Sequence, residues 1–358
     1  HDDGVAVQHR GTGGDVREVA AGRMDLSTTY LGLSLRHPLM PGASPLADDL
    51  DTVRRLEDAG AAAIVVRSLF EEQITREAYG RIHYLIASSP SHPEAAELLP
   101  LPEEFAFPPD RYLEHVRRIR AAVGVPVIGS LNGTTPAGWV DHAAQIEQAG
   151  ADAIELNFYY LATDPAESGA DVERRVLDVV RMVKARVDIP VAVKLSPFFS
   201  SLPHLAQQLD AAGADGLVIF NRFYQADIDP DSREMVARLQ LSTPEDLLLR
   251  VRWLAILSGR IRASLAATGG VHSGIDALKA IMAGAQAVQM VSALLRNGPG
   301  YLSLVVKDLE RWLEKHGYDS VGRAQGCMSL ARIPNPAALE RGNYMRILQA
   351  WRLQGLGR

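Results

Sequence analysis

Cysteine is nearly absent from this sequence. Cys327 is the only one in 358 residues, which excludes an intrachain disulfide and any zinc or iron–sulfur site built from several thiolates, and agrees with a reducing, cytoplasmic setting. Long apolar runs are missing too. None approaches the roughly 18 residues of a membrane-spanning helix, and the mean hydropathy is −0.02, so a soluble protein with no membrane partner is expected. Nor is there an excess of positive charge: 37 Lys and Arg against 43 Asp and Glu give a net charge of −6. With a pI of about 6.0, no global field recruits nucleic acid or an anionic membrane. The histidines, from His9 and His37 to His272 and His316, are scattered without metal-ligand spacing, and no metal is expected.

What is present is an ordinary globular balance, 47% hydrophobic and 22% charged, in a chain long enough for one large α/β domain or two smaller ones. Residues 1–23 are rich in glycine and mixed charge without apolar periodicity, and Met24 looks like a natural start for the folded domain. We read 1–23 as a flexible tail and 24–358 as a single domain. A phrase recurs along it: Glu57-Asp58-Ala59-Gly60-Ala61, Glu147-Gln148-Ala149-Gly150-Ala151, Asp210-Ala211-Ala212-Gly213-Ala214 and Met282-Ala283-Gly284-Ala285, each followed by a short apolar run. Each reads as a helix end, a glycine cap and a buried strand.

Strands are expected near His37–Pro41, Ala62–Arg67, Pro126–Leu131, Ala153–Asn157, Pro190–Leu195, Gly216–Asn221, Ser264–Thr268 and Ala287–Ser292, with helical periodicity between them. Near-continuous Val, Ile, Leu and Ala imply strands covered on both faces, and eight βα units are the number that closes a (β/α)8 TIM barrel. A doubly wound sheet is the alternative architecture. Two segments exceed ordinary loop length, Leu69–Pro109 and Phe223–Thr243. Following strands, they should emerge on the C-terminal face as lids. Further helices are expected after Gly298, to about residue 358.

The chemistry gathers at strand ends. Thr268-Gly269-Gly270 ends the seventh strand and Ser273-Gly274 opens a helix, while the eighth ends at Val291-Ser292. Glycine amides and a hydroxyl on adjacent strands suit a phosphate. Lys194 interrupts the apolar fifth strand. A buried ammonium needs an anionic or carbonyl partner, and the residue could form a Schiff base or hold the electron-rich edge of a cofactor ring. Arg67-Ser68, Ser130 with Asn132, Asn157 and Asn221-Arg222 stand at other strand ends. Three asparagines converging on one mouth suggest a planar heterocycle held by amide hydrogen bonds.

In this order, Gly42-Ala43-Ser44, Glu155-Leu156-Asn157, Val193-Lys194-Leu195, Asn221, Thr268-Gly269-Gly270 and Gln289-Met290-Val291-Ser292-Ala293 make the chain resemble the dihydroorotate dehydrogenase family, most closely its class 1 branch, over about Met24 to Pro299. The resemblance implies an FMN-dependent oxidoreductase that moves hydride from a dihydropyrimidine-like substrate to flavin. It implies that Gly269, Gly270, Val291 and Ser292 hold the FMN phosphate, that Lys194 meets the pyrimidine edge of the flavin, and that Gly42, Ala43 and Ser44 lie against the ring. Arg67, Ser68, Ser130 and Thr268 are grouped with the cofactor, and Asn132, Asn157, Asn221 and Arg222 with the substrate. A homodimer and an electron-transfer partner are the protein associations it implies.

The sequence also departs from the family. The strand-four motif there continues with Ser, then the catalytic base (Cys in class 1, Ser in class 2), then Pro-Asn; here it continues Phe158-Tyr159-Tyr160-Leu161-Ala162. By register Tyr160 takes the place of the base, beside Lys194 as the second catalytic candidate. A phenol of ordinary pKa about 10 needs a nearby cation, such as Arg67 or Arg222, to act as a base at neutral pH. Ala162 replaces a substrate-binding Asn, Arg67 a lysine, and Val291 a glycine. Gln240-Leu241-Ser242-Thr243-Pro244-Glu245 stands where the family has a Gly-Gly segment, and reads as a helix start capped by Ser242 or Thr243. Two further readings therefore stay open: a flavin-binding subunit that only relays electrons, and a barrel lyase or aldolase using Lys194 as a Schiff base.

Overall fold

The computed structural model describes residues 24–71, 109–133, 135–222, 227–236 and 240–340. Strands β3 (Leu39–Pro41), β4 (Ile64–Phe70), β5 (Val127–Asn132), β6 (Ala153–Asn157), β7 (Val191–Leu195), β8 (Gly216–Ile219), β11 (Ser264–Thr268) and β12 (Ala287–Met290) form one sheet of eight. Every pairing in it is parallel. Its edge strands β3 and β4 lie side by side, joined by the Ala62 N–H to the Leu39 carbonyl at 3.0 Å. The architecture is a (β/α)8 barrel.

Helices α1 (Leu50–Asp58), α2 (Pro109–Ala122), α3 (Pro136–Gln148), α4 (Gly169–Lys184), α5 (Leu202–Ala211), α6 (Leu247–Leu257) and α7 (Gly274–Ala283) alternate with the strands. The recurring glycine phrase ends four of them in one hydrogen-bond pattern. In α1 the Gly60 N–H bonds to Glu57 O and Ala61 N–H to Leu56 O, at 2.8 and 2.9 Å, and the same pair of bonds recurs at Gly150, Gly213 and Gly284. This is the Schellman cap, which needs a positive φ at its glycine; those values run from 93° to 127°.

Strand side chains alternate between two apolar clusters. Residues such as Val66, Leu131, Leu156, Val193 and Ile219 pack outward against the helices, whereas Met40, Val65, Ile128, Ala153, Ala192, Val218, Ala266 and Ala287 face the barrel interior. Small alanines leave room there for Tyr30, Leu31 and Leu35 from the antiparallel hairpin β1 (Thr28–Tyr30) and β2 (Leu33–Leu35). Leu31 and Gly32 turn that hairpin with φ of 54° and 74°, the signature of a type I′ turn. A Cβ at Gly216 would sit 2.5 Å from Leu31 Cδ2, so the apolar floor needs a glycine at that point.

Strand boundaries differ from expectation in an instructive way. β4 runs to Phe70 and not Arg67, and a register shift between Val65 and Ser68 interrupts its pairing with β5. β8 and β12 end at Ile219 and Met290, short of Asn221 and Ser292, which leaves those polar residues on the exit turns.

Of the first expected lid, 72–108 lies outside the described residues. The second contains a short hairpin, β9 (Asp227–Asp229) with β10 (Glu234–Val236). After β12 come α8 (Ser292–Asn297), α9 (Tyr301–Lys315) and α10 (Val321–Ala324), with α9 burying Leu302, Val305, Leu309 and Leu313. The expected tail 1–23 and the end of the chain, 341–358, lie outside the described residues. Among the described residues no helix is long and apolar enough to cross a membrane.

Candidate functional site

Two residues beyond the apolar floor the barrel interior turns polar, as the two-residue period of a strand dictates. Ser130 follows Ile128, Glu155 follows Ala153, Lys194 follows Ala192, Thr268 follows Ala266 and Gln289 follows Ala287, and all five are buried. Glu155 is at the centre. Its Oε1 accepts from Lys194 Nζ at 3.1 Å, and its Oε2 from Gln289 Nε2 at 2.6 Å. Among the described residues the Gln289 carbonyl Oε1 and Ser44 Oγ are buried without a partner. Below the carboxylate, burial and the Glu155 charge push the Tyr30 phenol well above the ordinary tyrosine range.

A second line of hydrogen bonds crosses the strands just above. Ser130 Oγ meets Ser68 Oγ at 2.7 Å, Asn157 Nδ2 donates to Ser68 Oγ at 3.3 Å, and Asn221 Nδ2 donates to Asn157 Oδ1. The bulge in β4 makes the first of these contacts: with the extra residue, Ser68 turns inward beside Ser130. Tyr112 of α2 anchors β5 from behind, donating to Ser130 O at 2.9 Å and accepting from Ser130 N at 3.2 Å. Asn132 is buried at the end of the same strand.

A third cluster joins the exits of β11 and β12. Gly269 and Gly270 have φ of 89° and 83°, and a Cβ on Gly270 would lie 2.4 Å from the Leu247 backbone N, so the turn and α6 touch only because glycine is there. The Gly270 N–H donates to Ser242 Oγ at 3.2 Å; Ser242 Oγ donates to Ser292 Oγ, and Ser242 N–H to the same oxygen, both at 2.9 Å. Arg250, buried on α6, donates from Nε to Thr268 O at 2.9 Å and from Nη1 to Asp246 O at 2.7 Å. Its burial draws the guanidinium pKa downward. Beside β12, Gly42 N–H bonds to Met290 O at 3.1 Å, and a Cβ on Gly42 would come within 3.2 Å of Gln289 Oε1.

A family model described as dihydroorotate dehydrogenase matches residues 109–313, a span that holds β5 to β12 and all three clusters except Gly42, Ser44 and Ser68. Relatives match over nearly their whole length. A protein described as a dihydroorotate dehydrogenase A (fumarate) of Aeropyrum pernix is 30% identical over 312 residues, 83% of this chain and 95% of that one. The dihydroorotate dehydrogenase B (NAD(+)) catalytic subunit of Thermoplasma acidophilum is 29% identical over 303 residues, 83% of this chain and 96% of that one. The chain belongs to the dihydroorotate dehydrogenase family.

Against that family membership, the expected site residues divide. Ser68, Ser130, Asn157 and Asn221 share one hydrogen-bonded line, Lys194 lies next to it in register with Asn157, and Gly269, Gly270, Thr268 and Ser292 share another cluster. Gly42 and the unpartnered Ser44 flank β12 and the β3 exit, with Ala43 partly buried against the interior cluster and Val291 against Gly42.

Three residues are elsewhere. Arg67, on the bulge, pairs with Asp48 at 2.7 Å, and Arg222 lies 3.9 Å from Asp246; neither is the cation beside Tyr160 that the sequence suggested. That cation is Arg175, over the Tyr160 ring at 4.7 Å. Tyr160 is 45% exposed and its hydroxyl donates to Glu167 at 2.6 Å. Two residues earlier Phe158 is buried and stacks on Trp139 at 4.7 Å, whereas Tyr159, Tyr160 and Leu161 are exposed.

Sequence reasoning missed Glu155, Gln289, Ser242 and Arg250 as members of these clusters. The first two carried a signal, since each is a polar residue inside an apolar strand, as Lys194 is. Ser242 carried none: Thr243 is the residue that begins the turn into α6, its N–H bonded to Asp246 at 2.8 Å, and Ser242 folds inward instead. Among the described residues no group of three or more His, Cys, Asp and Glu could hold a metal ion.

Proposed function

We propose that this chain, taken as one domain over 24–358, is an FMN-dependent oxidoreductase acting on a CH–CH bond of a dihydropyrimidine-like substrate. The observation that carries the reading is the unsatisfied chemistry at the barrel mouth. An ammonium has three donor hydrogens, and Lys194 Nζ has one partner among the described residues, Glu155. Among the described residues a carbonyl and a hydroxyl are buried without partners, Gln289 Oε1 and Ser44 Oγ, and Gly42 leaves the room that carbonyl takes, since a Cβ there would come within 3.2 Å of it. Such a set fits the carbonyl-rich and N–H-bearing ring of a flavin; toward its phosphate the Ser292 hydroxyl keeps its own hydrogen to donate, whereas the Gly270 N–H would have to leave Ser242 Oγ.

Bound FMN would supply a two-electron acceptor. The chain's own residues hold and orient: Lys194 faces an electron-rich ring edge, Asn157 and Asn221 offer amides to a planar substrate, and the polar layer sits on an apolar floor. Substrate oxidation removes a hydride and a proton, and the proton needs an acceptor. Tyr160 is the residue in register for it. Because its hydroxyl is turned to Glu167, the second reading, a flavin-binding subunit that relays electrons, has one observation in its favour. The lyase reading is disfavoured because Lys194 Nζ is engaged by the Glu155 carboxylate at 3.1 Å.

The purified protein, reconstituted with FMN, should absorb in the flavin bands and be bleached anaerobically by dihydroorotate. Retained colour without bleaching would favour the relay reading or another substrate, and a protein that takes up no FMN would overturn the assignment.

A further inference from the structure

We propose that Glu155 is a positioning residue that fixes both Lys194 and Gln289, so that the barrel interior offers an ammonium from β7 and, from β12, a carboxamide with its carbonyl turned to the Gly42 side, to a ring edge bearing an acceptor and an N–H. Glu155 is fully buried, with one carboxylate oxygen on Lys194 and the other on Gln289. A carboxylate can only accept. The Gln289 amide must therefore turn its NH2 group to Glu155, and its carbonyl faces the Gly42 side, where it is buried and unpartnered. The same carboxylate compensates the charge of Lys194, which is almost as deeply buried, and holds the ammonium at one end while leaving its other hydrogens to a ligand. Glu155 touches no ligand in this arrangement and acts through its two neighbours. The identity of the ring edge rests on the flavin reading above; the control of Lys194 by Glu155 does not.

Glu155→Gln separates the two parts. A glutamine side chain at 155 can still accept from Lys194, but its NH2 then faces that of Gln289, and Gln289 relieves the conflict by flipping. The mouth would thereby present an N–H where it had a carbonyl.

In the flavin-free full chain, acylation of Lys194 by an N-hydroxysuccinimide ester is followed by mass spectrometry, with Lys184 and Lys279 of the same molecule as references. Glu155→Gln replaces the ion pair on Lys194 with a neutral hydrogen bond, which holds the amine less firmly, so labelling of Lys194 relative to the references should rise by about tenfold or more in Glu155→Gln. An unchanged ratio overturns the positioning role. If Glu155→Gln does not fold, the double variant Glu155→Gln/Lys194→Met should, because it removes both charges; a double variant that folds no better also overturns it.

For the ring edge, the affinities of FMN and of 3-methyl-FMN, whose N–H is blocked, are compared. Wild type should prefer FMN by about tenfold, the scale of one buried hydrogen bond, and Glu155→Gln should lose that preference. A preference that survives the substitution overturns the ring-edge part. Wild type that binds neither flavin overturns the flavin reading and the ring edge together, while the labelling result still decides the role of Glu155.

Discussion

Ser242 and Ser292 meet hydroxyl to hydroxyl at 2.9 Å although they lie 50 residues apart. The Ser242 oxygen also takes the Gly270 N–H, so one short side chain ties the turns after β11 and β12 together. Ser242→Ala leaves a buried N–H without its acceptor, which costs roughly 1–3 kcal/mol. We expect the unfolding free energy from urea titration to fall by that amount, together with weaker retention of FMN than of riboflavin relative to wild type, because the phosphate loop is what loosens. Equal loss of both flavins would place the effect away from the phosphate.

His37 makes the fold sensitive to acid. Leu39 N–H donates to its Nδ1 at 3.1 Å and its Nε2 lies 2.7 Å from Gly60 O, so the neutral ring, protonated at Nε2, satisfies both groups. Burial, aided by the Arg36 charge, lowers its pKa from 6.5 to about 4. As pH falls below 6.5 the unfolded chain takes up the proton and the folded one does not, so stability is full above that pH and is lost progressively toward pH 4. The loss is on the order of 3 kcal/mol. Urea midpoints of wild type and His37→Gln measured from pH 7 to pH 5 should converge as the pH drops; parallel curves would remove His37 from the acid response.

Tyr160 tests whether position in the motif or orientation in space decides its role. With the phenol donating to Glu167 and Arg175 over its ring, we expect Tyr160→Phe to change the rate of flavin reduction by less than about threefold. Stopped-flow absorbance with dihydroorotate measures this directly. A loss of 10²–10⁴-fold, the range for a missing general base, would restore the phenol as the proton acceptor and require it to turn inward on substrate binding.

Much of this protein is legible in its sequence because the physics is local. A Gly-Ala pair after a helical stretch forces a Schellman cap wherever it occurs, and an unbroken run such as Ala-Ile-Val-Val has no solvent-facing side to offer. Four caps and eight such runs therefore foretold a closed parallel barrel. Lys194 was legible for the same reason: one charge in an apolar strand must find a partner.

Which partner it finds was decided only by the tertiary structure. Glu155 and Gln289 come from strands on either side of the barrel interior, and the meeting of Lys194 and Gln289 on the Glu155 carboxylate depends on the registers of the strands and the closure of the sheet. Arg67 and Ser68 are adjacent in sequence, yet the bulge against β5 sends one to Asp48 and the other to Ser130. Tyr160, which the sequence suggested as a base, is directed to Glu167 and Arg175, while Phe158 two residues before it stacks on Trp139. Local propensity chooses strands and caps residue by residue; the direction of a side chain after a strand ends depends on neighbours that the chain brings in from elsewhere.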